Sequence, residues 1–106
     1  MTFWDAYKPG RRTVNPALLW EYNLSSFDWE KGAPVYVARV IERGWPEDWF
    51  AAFDVYGGVE QFRERIKQAA YMSDRDMSFV CLQFNLKKED LQCYARKRSR
   101  KALFDF

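Results

Sequence analysis

Apolar side chains recur at intervals of three and four residues along most of the chain, which is the spacing of one face of an α-helix. The segment VYVARVIER, which follows Pro34, shows the pattern: Val37, Val40 and Ile41 share a face, and Gly44 follows as a stop signal. Its β-branched content leaves a β-strand as the alternative. Because the apolar period is not two, we predict a helix over this segment.

Helix start and stop signals divide the rest of the pattern into further short elements. Asn15-Pro16 is a capping residue followed by a first-turn proline, and it predicts a helix over 16–22. Pro46, which is followed by the acids Glu47 and Asp48, begins another predicted helix that ends at Gly57-Gly58. The same signals predict two more helices. These run over 59–71 and from the cap Ser73 onward.

The sequence therefore predicts an all-α fold, a single compact domain of about six short helices with a helix-turn-helix-like unit near the C-terminus. We place the helical domain at residues 15–98. An irregular N-terminal arm, 1–14, would precede it, and a basic and apolar C-terminal tail, 99–106, would follow. The aromatic residues of the arm would either dock it onto the domain or form an exposed hook for a partner.

The helix-turn-helix-like unit is predicted in the segment MSFVCLQFNLKKEDLQCYARK. Val80 and Phe84 share a face of its first helix, and Asn85 tolerates the positive φ that a tight turn needs. Leu91 then lies on the inner face of the second helix. Two ordinary core helices joined by a short turn would show the same spacing. A DNA-reading unit and plain packing therefore both stay open.

Positive charge is concentrated after this turn. The net charge is only +2, yet residues 87–101 contain seven Lys/Arg against two acids. Such asymmetry suits nucleic acid or an acidic protein, and it also occurs at solvated helix ends. The outward face of the second helix would carry Lys87, Lys88, Glu89, Gln92, Cys93 and Arg96, and its acids would repel a DNA backbone. The candidate nucleic-acid-binding residues are Lys87, Lys88, Gln92, Arg96, Lys97, Arg98, Arg100 and Lys101.

Composition excludes several kinds of active site. The chain has no histidine, so a Ser-His or Cys-His catalytic pair is excluded, and with only two cysteines a structural zinc site is not expected. Acid pairs such as Glu47–Asp48 lie at helix starts, where capping explains them. We therefore expect no enzyme activity, no metal and no cofactor. Unpaired cysteines, with no signal peptide and no apolar stretch of ~20 residues, indicate a cytoplasmic location.

Aromatic residues are numerous, with five Trp, six Tyr and nine Phe. A core of this size does not readily hide them all, so some are expected at an interface with a protein partner or a second copy. The candidate partner-binding residues are Trp4, Trp45, Phe104 and Phe106. Trp49 is a further candidate, for which core packing is the stronger interpretation.

Four segments resemble a small uncharacterised bacterial family that is common in Bacteroides-like organisms. They are LLWEYNLSSFDWEK (18–31), VIERGWPEDW (40–49), VYGGVEQFRERIKQ (55–68) and MSFVCLQFNLKKEDLQCYARK (77–97). Members of that family are often encoded beside nucleotidyltransferase-type toxins of the abortive-infection class. The resemblance implies a non-enzymatic antitoxin-like or accessory protein that engages a toxin-like partner. Whether it also binds DNA stays open. It transfers no site residues, and a helix-turn-helix transcriptional regulator is the alternative.

Overall fold

A computed structural model describes residues 4–97 of the chain. Within this range the structure contains helices and no strands, so the all-α prediction is confirmed. The α-helices are α1 (Ala33–Arg43), α2 (Pro46–Tyr56), α3 (Val59–Ile66), α4 (Asp74–Phe84) and α5 (92–97, where the described residues end). Two 3₁₀ helices span Pro16–Leu19 and Lys88–Asp90. No helix among the described residues is long and apolar enough to cross a membrane.

Helix α1 packs against the first 3₁₀ helix, α2 and α3, which places it inside the domain. Its side chains Tyr36, Val37 and Val40 are fully buried, as the three- and four-residue spacing predicts. Gly44 ends the helix as expected. A Cβ at this position would lie 2.5 Å from the Val40 carbonyl oxygen, so the chain can turn here only without a side chain.

The predicted start of α2 and the predicted break after it are both confirmed. The Asp48 carboxylate accepts a hydrogen bond from the Trp45 backbone N–H at 2.9 Å, so this acid caps the helix. Gly57 and Gly58 follow the helix with φ values of 92° and 132°. This reversal brings α3 back along α2, where Phe62 is buried among aromatic rings of α2 and α4.

Two predicted helices are shorter than the sequence pattern indicates. The helix predicted over 16–22 is only the 3₁₀ helix Pro16–Leu19. The helix predicted over 59–71 ends at Ile66, because the backbone after it makes tertiary hydrogen bonds instead. The Lys67 carbonyl accepts from the Gln92 N–H, and the Ala70 N–H donates to the Pro34 carbonyl, each at 3.0 Å.

The helix-turn-helix prediction is correct for the turn residue and wrong for the second helix. Asn85 ends α4 with φ 54°, the left-handed conformation expected of it. The next α-helix begins only at residue 92, whereas a helix-turn-helix joins its helices by about three to four residues. Leu86 and Leu91 are both buried, so the connection is fastened to the core at each end. Cys93, predicted to face outward, is buried as well.

The described part of the N-terminal arm, residues 4–14, lies against α2 and α4 and contains no helix. The Trp4 ring stacks on Phe84 with centroids 4.2 Å apart. The Tyr7 ring meets Phe53 at 5.0 Å, edge to face. Of the two alternatives for the arm, the structure shows these aromatic residues docked on the helical domain.

Candidate functional site

Large hydrophobic side chains remain exposed on the folded domain. Among residues 4–97, Leu82, Trp45 and Trp20 have the greatest exposure, at 79%, 75% and 74%. Trp45 was predicted as a partner-binding residue, whereas Trp20 and Leu82 were missed. A signal for Leu82 is present in α4, because it lies outside the stripe that Val80 and Phe84 bury.

A groove of about 520 Å³ lies between the C-terminal end of α1 and the first turns of α4. We call it the α1–α4 groove. Its lining residues are Ile41, Glu42, Gly44, Trp49, Ser73, Arg75, Asp76 and Phe79. The Trp49 and Phe79 rings meet edge to face with centroids 6.0 Å apart, which makes the apolar part of the groove aromatic. Trp45 directly follows Gly44, and Leu82 is one helical turn from Phe79, so both most exposed side chains adjoin elements of the groove.

The polar residues of the groove carry charges of both signs. Glu42 pairs with its neighbour Arg43 at 2.7 Å, and the Ser73 hydroxyl oxygen accepts from the Asp76 N–H at 3.1 Å. Arg75 is exposed at the same edge. The groove is thus lined mainly by polar and charged side chains beside the Phe79 ring, a mixture that also occurs at protein-binding surfaces. Trp49 itself is 5% exposed, so the core role preferred for it is confirmed.

Two of the predicted nucleic-acid-binding residues are engaged with the domain itself. An Nη atom of Arg96 donates to the carbonyl oxygens of Ala69 and Ala70, at 3.4 and 2.9 Å. Lys97 Nζ contacts the Met72 carbonyl at 3.3 Å and an Asp74 carboxylate oxygen at 3.2 Å. These cations therefore fasten α5 to the connection between α3 and α4.

The other predicted residues divide into two groups. Lys87 and Lys88 are exposed, but they lie at the start of the second 3₁₀ helix, beside the exposed acids Glu89 and Asp90, and not on the face of an α-helix. Gln92 is exposed at the start of α5. The remaining candidates lie outside the described residues. These are Arg98, Arg100, Lys101, Phe104 and Phe106.

A smaller hollow of about 170 Å³ adjoins α5, with the Cys93 thiol, Arg96 and Lys97 in its lining. Burial raises the pKa of the Cys93 thiol, which keeps it protonated and a poor nucleophile. Across residues 4–97, no three His, Cys, Asp or Glu side chains lie close enough together to hold a metal ion.

Sequence reasoning missed a buried carboxylate, that of Asp54 on α2, whose side chain is 6% exposed. It accepts hydrogen bonds from the Tyr7 hydroxyl at 2.6 Å and from the Gly10 N–H at 3.1 Å. Arg12 donates to it twice, from its backbone N–H at 3.2 Å and its guanidinium at 3.0 Å. Three residues of the arm thus converge on one acceptor, and we call this set of contacts the Asp54 latch.

The latch shifts two ionisation equilibria in opposite directions. Burial disfavours the charged form of Asp54, but the hydrogen bonds from Tyr7, Arg12 and Gly10 outweigh it and hold the pKa of the carboxyl below its usual range. Burial and the hydrogen bond to Asp54 raise the pKa of Tyr7 to about 12. The paired state is therefore Asp54 charged with Tyr7 neutral.

This pairing predicts how stability depends on pH. The contribution of Asp54 is present above its unfolded pKa of about 3.9 and is lost as pH falls through its lower folded value. That of Tyr7 is present below about pH 10 and is lost as pH rises through about 12. We expect the difference in Tm between the wild type and Asp54→Asn to be constant between these limits and to shrink outside them. A difference that stayed unchanged at about pH 2 would contradict the latch.

Comparison with known proteins places the helical region in a family. The model of DUF6922, a family of unknown function, matches residues 14–66, which is half of the chain. The chain belongs to the DUF6922 family. No curated protein and no solved structure matches the chain. The resemblance to an uncharacterised family is confirmed to the extent that the matched family has no known function.

The DUF6922 region contains the first 3₁₀ helix and α1 to α3, with their connections. Residues 4–13 of the arm and all of α4 and α5 lie outside it. The α1–α4 groove is therefore built from both parts, with Ile41 and Trp49 from the DUF6922 region and Phe79 from α4. The Asp54 latch likewise joins a DUF6922 residue to an arm that precedes the region.

Proposed function

We propose that the chain is a non-enzymatic accessory protein that binds a protein partner through the α1–α4 groove together with Trp45 and Leu82. The observation that carries this proposal is the exposure of these two side chains, 75% and 79%, beside a groove lined by the Phe79 ring and by charged residues of both signs. Burying a large apolar side chain under a partner contributes roughly 1.5–3 kcal/mol to the free energy of binding. Tryptophan in such a setting is a frequent centre of binding energy.

We propose further that this partner is toxin-like and that the chain acts as an antitoxin in the cytoplasm of a bacterium. The support is the resemblance of the four segments quoted above to a family encoded beside abortive-infection toxins. Two of those segments cover elements of the groove: VIERGWPEDW contains Ile41, Trp45 and Trp49, and MSFVCLQFNLKKEDLQCYARK contains Phe79 and Leu82. A second copy of the chain is the competing occupant of the surface.

DNA binding is the alternative function, either as an added activity of the accessory protein or as that of a transcriptional regulator. Lys87, Lys88 and Gln92 support it, because all three are exposed on consecutive segments near α5. Arg96 and Lys97 weaken the case for DNA, since an Nη of Arg96 and the Nζ of Lys97 donate to carbonyl groups of the domain. The acids beside Lys88 also lower the local positive charge.

The test of the proposed function is binding to the protein encoded by the neighbouring gene. We expect the Trp45→Ala/Leu82→Ala variant to bind it about 100-fold or more weakly than the wild type. Trp20→Ala is the matched control: Trp20 is 74% exposed but lies at the end of the first 3₁₀ helix, and its loss should change the affinity only slightly. Isothermal titration calorimetry measures each Kd, and gel filtration reports any homodimer.

Two results would reject the protein-binding proposal. One is a wild type that does not bind the neighbouring protein, and the other is an equal loss of affinity in the Trp20→Ala control. A titration with labelled duplex DNA at two salt concentrations tests the alternative. Affinity that falls steeply with salt, and that weakens in Lys87→Ala/Lys88→Ala, would favour the DNA-binding regulator.

A further inference from the structure

The arm covers an aromatic surface that belongs to the helical domain. Trp4 stacks on Phe84 at 4.2 Å, and Tyr7 packs on Phe53 at 5.0 Å and on Phe50 at 5.5 Å. The three phenylalanines are 9% exposed or less. If the arm left, part of each ring would meet water, and the domain would present an apolar patch.

The same surface carries a negative charge beside the rings. The Asp54 carboxylate pairs with the Arg12 guanidinium at 3.0 Å, and that guanidinium also lies 5.4 Å from the ring centroids of Tyr7 and Phe50. A surface of aromatic rings beside a buried carboxylate favours the binding of a segment that carries an aromatic side chain and an arginine. The arm supplies both, through Tyr7 and Arg12.

The helical domain has its own core beneath this surface. The DUF6922 region begins at residue 14, directly after the arm. Val14, Leu18 and Leu19 then enter the core, which anchors the chain where the arm ends. The arm reaches the domain through side chains and through two backbone N–H groups that donate to Asp54. An arm attached in this way can open locally while the domain stays folded, and the experiments below test this.

We propose that the surface formed by Phe50, Phe53, Phe84 and Asp54 is a second protein-binding site, which the arm occupies in the isolated chain. The site accepts a partner segment with the chemistry of the arm, an aromatic side chain and an arginine that reaches Asp54. The arm acts as an intramolecular competitor for this segment. This site is distinct from the α1–α4 groove and does not depend on the function proposed for the groove.

The test uses the full chain with Tyr7→Ala and Arg12→Ala, which weakens the arm and leaves Asp54 in place. A fluorescein-labelled peptide with the sequence of residues 4–12, WDAYKPGRR, serves as the probe in anisotropy titrations. We expect saturable binding to this variant and at least about tenfold weaker binding to the wild type, where the tethered arm competes. Adding Asp54→Asn to the variant should weaken binding about tenfold, because it removes the charged acceptor.

The control peptide carries alanine in place of both Tyr7 and Arg12 and should not bind. Equal binding of the probe to the wild type and the variant would overturn the proposal, as would a folded variant that does not bind it. A variant that fails to fold by circular dichroism would also overturn it, because the domain would then depend on the arm. A wild-type dimer that is lost in the variant would assign the site to a second copy and reject a different partner.

Hydrogen exchange of the wild type gives a second measure. The amides of Gly10 and Arg12 both donate to Asp54, so they should exchange together and faster than the amides of α2. Exchange of these two amides only at the rate of the most protected helical amides would show that the arm opens only with global unfolding, which would contradict the proposal.

Discussion

Replacing Phe62 with alanine is expected to lower the free energy of unfolding by about 3–5 kcal/mol. Phe62 has no exposed surface, and its ring lies 5.2 Å from that of Phe53, 5.8 Å from Trp49 and 6.2 Å from Phe84. Removing the ring therefore leaves a cavity where α2, α3 and α4 meet. The remaining rings, from α2 and α4, cannot close around it without moving helix backbones, so little of the loss is recovered.

Urea unfolding followed by circular dichroism measures this loss. Leu82→Ala is the matched control, since Leu82 is 79% exposed and its truncation should change stability by less than about 0.5 kcal/mol. A small domain has a free energy of unfolding of only about 5–15 kcal/mol, so Phe62→Ala should populate the unfolded chain at much lower urea. Similar losses in the two variants would contradict the position of Phe62 at the centre of the core.

Gly58→Ala is expected to lower the free energy of unfolding by about 2 kcal/mol, because alanine would be strained in the backbone conformation of Gly58. Gly58 precedes α3 with φ 132° and ψ 178°, a conformation that is essentially restricted to glycine. A Cβ there would also lie 3.1 Å from the side-chain oxygen of Gln61. The reversal from α2 into α3 depends on this residue, so the strain cannot be relieved without moving Phe62 from its place.

Gly57 provides the comparison for this effect. It ends α2 with φ 92° and ψ 14°, near the left-handed region that asparagine tolerates better than other residues with a side chain. Gly57→Asn should therefore destabilise the chain less than Gly58→Ala does, as judged by the urea midpoint. If the asparagine variant lost as much stability as the alanine variant, the backbone conformation of Gly58 would not be the cause.

The local signals of the chain were sufficient for most helix ends. Ser73 caps α4 and accepts from the Asp76 N–H, Asp48 caps α2, and Asn85 takes the left-handed conformation, all as predicted. Each of these effects acts within about four residues, through a capping hydrogen bond or a restriction on φ. Short-range physics of this kind can be read from residue order alone.

The candidate site was harder to predict, because exposure depends on what packs nearby. Trp45 and Trp49 are four residues apart and equally aromatic, yet one is 75% exposed and the other 5%. Phe79 of α4 packs on Trp49, whereas Trp45 lies at the turn between α1 and α2. The sequence pattern already favoured Trp49 for the core and Trp45 for the surface, whereas the exposure of Trp20 and Leu82 was not predicted.

By itself, the sequence determined the helical class, the caps, the glycine breaks and the apolar faces of the helices. The tertiary structure decided where α3 ends and which hydrogen-bond partners the charged side chains find. Helix α3 ends at Ile66 because the next residues bond to Pro34 and Gln92. Arg63 and Arg96 donate to backbone carbonyl groups of other segments, and Asp54 holds the arm. The reason is physical: these groups find partners more than 20 residues away, and only the packing of the helices brings them within hydrogen-bonding distance.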